Sequence, residues 1–226
     1  MCGRITLPAS SAIVRELKLT YEGAEQPANI NVPPTLQVPL MTASKPDRLQ
    51  YFTWSVIPPY ARSGVPDFKL STFNAMVERL EESQLWQPLL GKKHCVIITD
   101  GFYEWQYEDP LKKKKSIPHL IKARNSRFTY MAGLWEVWTN RQTGELVPSC
   151  TVITLPANSL MAAIHNTKGR MPAFLTSETL KIWLDQELPF SERKKVLDPV
   201  PDEFLDTYQI KKVGDEEEYR SVIQIC

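Results

Sequence analysis

The sequence predicts an α+β fold: a single domain with a mainly antiparallel, barrel-like sheet and flanking helices. Three observations favour this class. The chain has 226 residues, a length that suits one domain with a substantial core. Its 18 prolines outnumber its 9 glycines, which favours short strands and fixed turns over long helices. Apolar residues also alternate with polar ones, or occur in short β-branched runs, along most of the chain. We therefore treat residues 1–226 as one domain.

The overall composition is that of an ordinary globular protein without a dominant charge. The net charge is +1, so a surface that binds anions must be a local patch. No apolar run approaches the roughly 20 residues of a membrane span, and residues 11–20 lack the apolar core of a signal peptide. The cysteines form neither a CxxC pair nor a zinc-binding spacing; they are Cys2, Cys95, Cys150 and Cys226. We expect a cytoplasmic protein without membrane contact and with no cofactor.

The first half of the chain is predicted to contain strands separated by loops and short helices. Predicted strands cover residues 3–7, 38–41, 49–54 and 95–99. Ser10 and Ser11 are expected to cap a helix over residues 12–18. Loops are predicted at residues 27–34 and 60–73, and helices at residues 74–80 and 84–90.

The second half is predicted to continue the sheet and then add helices. Strands are expected at residues 102–105, 119–122, 130–137 and 149–155, and residues 107–116 form the tip of a hairpin. The four lysines of that tip are interpreted as a solvated loop. Asn158 is expected to cap a helix over residues 159–164, and Ser177 one over residues 178–187. Residues 215–218 are predicted to form an acidic loop.

The N-terminal stretch Met1-Cys2-Gly3-Arg4 has the clearest chemical potential. A start methionine before a small residue is commonly removed, which makes Cys2 the first residue of the mature chain. Its thiol and α-amine would then share one residue, with reference pKa values of about 8.5 and roughly 7.7–8.0. The amine could activate its own thiol for acyl transfer. Alternatively, both groups could add to an aldehyde, as a Schiff base that the sulfur closes into a five-membered ring.

Three further residues are candidates for acid–base chemistry or substrate binding. Glu104 lies between two aromatic residues and shares a strand face with Phe102, which suits a desolvated general acid; the alternative is a strand glutamate facing water. His165 precedes a loop with Lys168 and could act near a phosphate or carboxylate, or it could simply cap a helix. Asn74 is either a helix cap or an amide that orients a substrate oxygen.

Several segments, in this order, resemble the motifs of one known family, the SRAP (SOS response-associated peptidase-like) proteins. The resemblance runs from Cys2 to about Pro172. The first motif alone is common, whereas the ordered set is highly specific. The matching segments are Met1-Cys2-Gly3-Arg4, Asn31-Val32-Pro33-Pro34, Trp54 with Pro58, Phe73-Asn74-Ala75, Asp100-Gly101-Phe102-Tyr103-Glu104-Trp105, Thr154, His165 and Arg170-Met171-Pro172.

The resemblance implies a sensor of abasic sites in single-stranded DNA. It implies an α+β domain whose bifurcated sheet curls into a pseudo-barrel. Cys2 would form a thiazolidine with the open-chain sugar aldehyde, after self-cleavage of Met1 by the family's cysteine peptidase activity. Asn74 would hold the sugar, Glu104 would be the catalytic glutamate, and His165 would assist ring opening and lyase-like reversal.

The resemblance also implies a set of DNA contacts, and this chain has fewer arginines in that set than the family commonly has. The family commonly has arginines where this chain has Met76 and Gln84, and the spacing from His165 to Arg170 is longer. Lys92, Lys93 and Lys168 could compensate for the missing arginines. The predicted partners are single-stranded DNA with abasic sites and replication-fork proteins, and the protein is expected to act as a nucleoid-associated monomer. The predicted DNA-binding residues are Arg4, Pro34, Trp54, Tyr60, Lys92, Thr154, Lys168 and Arg170.

Two alternative functions remain open from the sequence. An N-terminal-nucleophile amidohydrolase also begins with Met-Cys-Gly, but that class uses an Asn-Gly pair in its oxyanion hole and this chain has none. A non-catalytic module that binds single-stranded DNA would need no reactive Cys2. A covalent adduct between Cys2 and an abasic oligonucleotide would exclude the binding module, and glutaminase activity would favour the amidohydrolase.

Overall fold

The computed structural model describes residues 3–62, 64 and 71–223. Within them, five helices and thirteen strands can be assigned. The helices are α1 Ser10–Leu17, α2 Ser159–Ile164, α3 Ser177–Leu184, α4 Phe190–Arg193 and α5 Glu216–Ile223. The strands are β1 Ile5–Leu7, β2 Asn29–Val32, β3 Gln37–Thr42, β4 Lys45–Trp54, β5 Asn74–Met76, β6 His94–Thr99, β7 Gly101–Asp109, β8 Lys114–Ala123, β9 Thr129–Thr139, β10 Leu146–Pro156, β11 Arg170–Pro172, β12 Phe174–Leu175 and β13 Leu205–Gln209. None of the helices in this described part combines the length and apolar character that crossing a membrane requires.

The larger sheet has eight strands and closes on itself. Seven of them follow the order β11-β10-β4-β3-β6-β9-β12, the eighth, β5, pairs with β10, and β9 also pairs with β10. The strands β10, β4, β3, β6 and β9 therefore form a closed ring, which leaves no open edge among them. All six residues of β6 are buried, as expected for a β-branched run in the centre of a sheet. The predicted α+β class with a mainly antiparallel, barrel-like sheet is confirmed.

The sheet divides along β10, because that strand changes partner along its length. Ser149 and Cys150 pair with β4, whereas the next residues pair with β5, Val152 opposite Asn74 and Thr154 opposite Met76. On its other edge β10 leaves β9 and pairs with β11. The fork therefore places β5, which contains Asn74, on one side of β10 and β11 on the other.

The smaller sheet has five strands in the order β13-β8-β7-β1-β2, and all its pairs are antiparallel. Alternation along β7 sends its side chains to two different cores. Phe102 faces the main core, where its ring lies 5.7 Å from that of Phe174. Tyr103 instead packs in a smaller cluster with Leu120 and Val222. Glu104, two residues after Phe102, is thereby directed to the same side as the main core.

The predicted helix over residues 74–80 is wrong. Residues Asn74–Met76 form β5, and a short 3-10 turn, Val77–Arg79, follows. The edge of β10 beyond Cys150 offers backbone partners to this segment, and this tertiary pairing outweighs its local preference for a helix. The helix expected at residues 84–90 is likewise reduced to a 3-10 turn, Gln87–Leu89. The loop predicted at residues 27–34 contains the edge strand β2.

Each predicted strand coincides with an observed one, but the ends and caps of several helices differ from the prediction. Asn158 caps α2 as predicted, since its side chain accepts the N–H of Met161 at 2.9 Å. Ser177 is the first residue of α3 rather than its cap, and Thr176 supplies the capping oxygen. Ser10 does not cap α1; its hydroxyl donates to Glu25 at 2.9 Å.

The C-terminal acidic segment is a helix rather than the predicted loop. The glutamates at 216–218 form the first turn of α5, where negative side chains interact favourably with the helix dipole. The predicted hairpin tip between β7 and β8 is confirmed. The predicted loop over residues 60–73 lies largely outside the described residues.

Gly133 is packed between β6 and β10, and its replacement by alanine should destabilise the barrel. An added Cβ would lie 2.5 Å from the carbonyl oxygen of Thr151 and 2.5 Å from Cδ1 of Ile97. We expect Gly133→Ala to lower the free energy of unfolding by about 1–3 kcal/mol, measured by urea denaturation. Gly144→Asn is the control, because that turn residue has φ +75° and open space around its Cα. An equal loss of stability in both variants would contradict the packing argument.

Candidate active site

Glu104 and His165 form a carboxylate–imidazole pair beneath the surface. Glu104 comes from β7 and His165 from the end of α2, and the distance from Oε2 to Nδ1 is 3.8 Å. Their exposed fractions are 5% and 4%, respectively. The other carboxylate oxygen of Glu104 accepts the backbone N–H of Trp105 at 3.2 Å. A buried acid beside a buried base is an arrangement that suits proton transfer.

The ring of His165 is oriented by the backbone of Arg170. Nδ1 lies 2.9 Å from the carbonyl oxygen and 3.2 Å from the amide nitrogen of Arg170. A proton on Nδ1 would serve the carbonyl contact and a bare Nδ1 would serve the amide contact, so the backbone of Arg170 holds the ring in either tautomer. Burial is the main effect on the pKa of His165 and lowers it, while the negative charge of Glu104 and the Arg170 carbonyl oppose this. His165 is therefore neutral at neutral pH.

Asn74 is positioned by β5 rather than by a helix. It is buried, and it lies at a cleft of about 430 Å³ beside the forked sheet. The cleft combines polar side chains with an apolar wall. Its lining residues are Ser71, Asn74, Met76, Arg79, Glu82, Ser83 and Trp86. The strand fixes the backbone of Asn74, and burial limits the conformations that its amide can adopt.

Arg170 connects the cleft to the acid–base pair. Its guanidinium donates to Glu78 at 3.0 Å and to the carbonyl oxygen of Thr154 at 2.6 Å, while its backbone holds His165. The bond from Arg170 also keeps the pKa of the Glu78 carboxyl below its usual value. Glu78 follows β5, so one side chain links the segment after Asn74 to the loop after α2. The ion pair between Arg170 and Glu78 was not predicted from the sequence, because residues 74–80 were expected to form a helix.

The N-terminal strand leads toward Glu104. The carbonyl oxygen of Arg4 accepts the N–H of Tyr103 at 2.8 Å, and Ile5 pairs with Phe102. Continuing this antiparallel register by two residues places Gly3 opposite Glu104. Cys2, the predicted nucleophile, precedes Gly3 but lies outside the described residues.

The predicted DNA contacts divide into exposed and buried residues. Tyr60 is 65% exposed, and Lys92 and Lys168 are also exposed. Pro34 and Arg4 are half-buried, and the guanidinium of Arg4 donates to Asn31 at 3.3 Å.

Trp54 and Thr154 do not fit the predicted contact with DNA. Trp54 is 0% exposed and its indole N–H donates to the carbonyl oxygen of Phe73 at 2.9 Å. Thr154 is equally buried, and its hydroxyl lies 3.4 Å from the Ala75 carbonyl oxygen. These two side chains support the strand that contains Asn74. Arg170 is also buried, and its guanidinium is already engaged by Glu78 and Thr154.

The comparison with known proteins identifies the family. The sequence profile described as SOS response associated peptidase (SRAP) matches residues 1–215. The chain belongs to the SRAP family. This SRAP chain is 36% identical over 190 residues to the abasic site processing protein YobE of Bacillus subtilis. The aligned region covers 82% of each protein. It is 34% identical over 165 residues to the abasic site processing protein HMCES of Xenopus tropicalis, covering 65% of this chain and 48% of that protein.

Solved structures share the fold of this SRAP chain. A crystal structure of a protein from Bacteroides thetaiotaomicron superposes with a TM-score of 0.83 at 26% identity and covers 95% of this chain and 97% of that one. A second, from Bordetella bronchiseptica, has a TM-score of 0.76 at 23% identity, with 93% and 100% covered. Within residues 3–62, 64 and 71–223, no three His, Cys, Asp or Glu side chains group together in a way that could hold a metal ion.

Proposed function

We propose that this SRAP protein captures abasic sites in single-stranded DNA through a thiazolidine on Cys2. The observation that carries the proposal is the buried Glu104–His165 pair beside the entry of the N-terminal strand. The names of its relatives, abasic site processing proteins, support the same substrate. A mature N-terminal cysteine supplies the two nucleophiles that an aldehyde trap needs.

The chemistry requires the loss of one water. The α-amine of Cys2 adds to the aldehyde carbon of the open sugar and forms a carbinolamine. Protonation of its hydroxyl by Glu104 lets water leave and an imine form. The thiol sulfur then adds to the imine carbon, and the nitrogen receives the thiol proton, which closes the ring. The product contains all atoms of the protein and the sugar except those of the expelled water.

His165 is suited to the preceding step, in which the closed sugar opens. The neutral imidazole accepts the proton of the anomeric hydroxyl, while a solvent water protonates the ring oxygen as the bond to it breaks. The imidazolium then returns its proton to the resulting hydroxide. In this step the amide of Asn74 holds a sugar hydroxyl. Release of the DNA would run the capture in reverse: the carbon–sulfur bond breaks as the nitrogen returns its proton to sulfur, water adds to the imine carbon, and the amine leaves to give back the aldehyde. This is the lyase-like activity of the proposal.

Removal of Met1 is the second reaction that we assign to this site. Water adds across the Met1–Cys2 peptide bond, with the free methionine carboxylate and the Cys2 amine as products. An intact Met1 would leave the nitrogen of Cys2 acylated, so that it could not form the imine. The family description names a peptidase, and we propose that this processing is that activity, with Cys2 as its cysteine.

The biological setting that we propose follows from the substrate. Single-stranded DNA is exposed at replication forks, so replication-fork proteins are the proposed partners in a DNA damage response. The protein would work there as a monomer, in the cytoplasm and on the nucleoid when DNA is bound.

Mass spectrometry with a single-stranded abasic oligonucleotide tests the proposal. We expect an adduct on Cys2 with the summed mass minus one water, stable to denaturation without a reducing agent. The same oligonucleotide with its aldehyde reduced to an alcohol is the control and should give no adduct. Protein retaining Met1 should also give none. Failure of the trimmed protein to form an adduct, with DNA binding retained, would support the non-catalytic binding module instead.

A further inference from the structure

Arg79 is a positively charged side chain in the cleft beside Asn74, and it belongs to none of the motifs that match the SRAP family. We propose that Arg79 binds a phosphate of the bound strand in this cleft and supplies the charge that Met76 and Gln84 do not. This proposal rests on the proposed function, because it takes single-stranded DNA as the ligand. It identifies the place where the strand crosses the protein next to the sugar site.

The geometry of the cleft fits a nucleotide. Its volume of about 430 Å³ lies within the range of pockets that hold small molecules. Asn74 and Arg79 line the same space, Asn74 from β5 and Arg79 from the 3-10 turn that follows. Because only four residues separate them, a strand whose sugar contacts Asn74 passes within reach of Arg79 through a neighbouring phosphate.

The charges around Arg79 leave its guanidinium available. The adjacent Glu78 is engaged by Arg170, and Glu81 is paired with Lys194. Arg79 itself is exposed and forms no side-chain ion pair or hydrogen bond within the described residues. Two of the neighbouring carboxylates are therefore paired with other cations, and no salt bridge joins Arg79 to the third, Glu82, within the described residues.

The rest of the lining is consistent with a nucleic-acid strand. A guanidinium can donate two parallel hydrogen bonds to a phosphate, and the hydroxyl of Ser83 can add a third. Met76 and Trp86 form an apolar wall on which a sugar or base can pack. Glu82 lines the same cleft and opposes an anion, so its charge should weaken binding rather than direct it.

Binding of an unmodified single-stranded oligonucleotide, followed by fluorescence anisotropy over a range of salt concentrations, tests the role of Arg79. We expect Arg79→Gln to raise Kd about fivefold at roughly 0.1 M salt. The slope of log K against log salt should become shallower by about 0.7. Arg15→Gln, at an exposed arginine of α1 outside this cleft, is the matched control and should leave both quantities unchanged. Equal effects of the two substitutions, or no effect of Arg79→Gln, would overturn the proposal.

Two further variants make the assignment specific to the cleft. Glu82→Gln should lower Kd, because it removes the opposing carboxylate. Met76→Arg in the Arg79→Gln background should restore about 0.7 of the slope, since its side chain lines the same space. If neither variant changes binding, the strand does not occupy the cleft.

The outcome is separable from that of the proposed function. Unmodified DNA has no aldehyde, so binding reports on Arg79 without covalent chemistry. A parent protein that forms the adduct but has a salt slope independent of Arg79 would overturn only this inference. A parent that shows the Arg79 effect but no adduct would overturn only the covalent chemistry. No affinity for single-stranded DNA in the parent would overturn both.

Discussion

Cys2→Ala is expected to abolish covalent capture of abasic DNA while retaining noncovalent binding to single strands. Alanine keeps the N-terminal amine, which can form only a reversible imine, whereas the stable ring needs the sulfur. Phosphate contacts do not involve the thiol, so Kd for an unmodified oligonucleotide should stay within about twofold of the parent. Denaturing electrophoresis measures the adduct and fluorescence anisotropy measures the binding.

The two cysteines within the described residues provide a control for this result. Cys95 and Cys150 are fully buried in the barrel, and burial raises the pKa of both thiols well above the usual value. Neither can serve as a substitute nucleophile, so Cys95→Ala should cross-link at the parent yield per folded molecule. Cys2→Ser should give at most a hydrolysable adduct. Full cross-linking by Cys2→Ala would show that Cys2 is not the nucleophile.

Glu104→Gln and His165→Ala are expected to slow the capture reaction by about 100-fold or more each, with different steps affected. Glutamine has the shape of glutamate but cannot supply the proton that expels water, so imine formation should be slow. Alanine at position 165 removes the base for sugar-ring opening and should also slow release of DNA from a formed adduct. Single-turnover cross-linking and adduct reversal measure these two rates separately.

The pH dependence should identify His165 as the base. Burial holds the pKa of His165 below its ordinary value of 6.5, so the imidazole is neutral at pH 7. The rate of ring opening should therefore be constant near neutral pH and fall as the pH decreases through that lowered pKa, where the base becomes protonated. In His165→Ala this acidic decline should be absent. A decline that is unchanged in the variant would assign it to another group.

The effects of Glu104→Gln and His165→Ala on the rate of capture should not be additive. Both residues act on one sugar carbon, and their side chains lie 3.8 Å apart, so the double variant should be less impaired than the product of the single effects. Glu108→Gln is a matched control on the same strand, at an exposed glutamate paired with Lys115. If Glu108→Gln slows capture as much as Glu104→Gln, the effect arises from β7 in general and not from a buried acid.

The local pattern of the sequence was sufficient to predict most of the sheet. The β-branched run of β6 and the alternation in β4 and β7 specify strands by themselves, because side-chain period and burial agree within each segment. The Asn158 cap was equally local, since the bond to Met161 spans only three residues. The ordered motifs were sufficient to identify the family, which the match over residues 1–215 confirms.

The tertiary structure decided which candidate residues meet and which are exposed. Asn74 became a strand residue because the free edge of β10 pairs with it, a partner 78 positions away in sequence at Val152. The same long-range packing buried Trp54 and Thr154, joined Arg170 to Glu78, and turned Arg79 toward the cleft. Helix propensity and motif spacing act over a few residues, whereas strand pairing and burial depend on partners distant in the chain. The sequence by itself therefore identified Glu104 and His165 as candidate residues. Their separation of 3.8 Å, their burial and the neighbouring cleft arise only when β5, β7, β10 and α2 pack together.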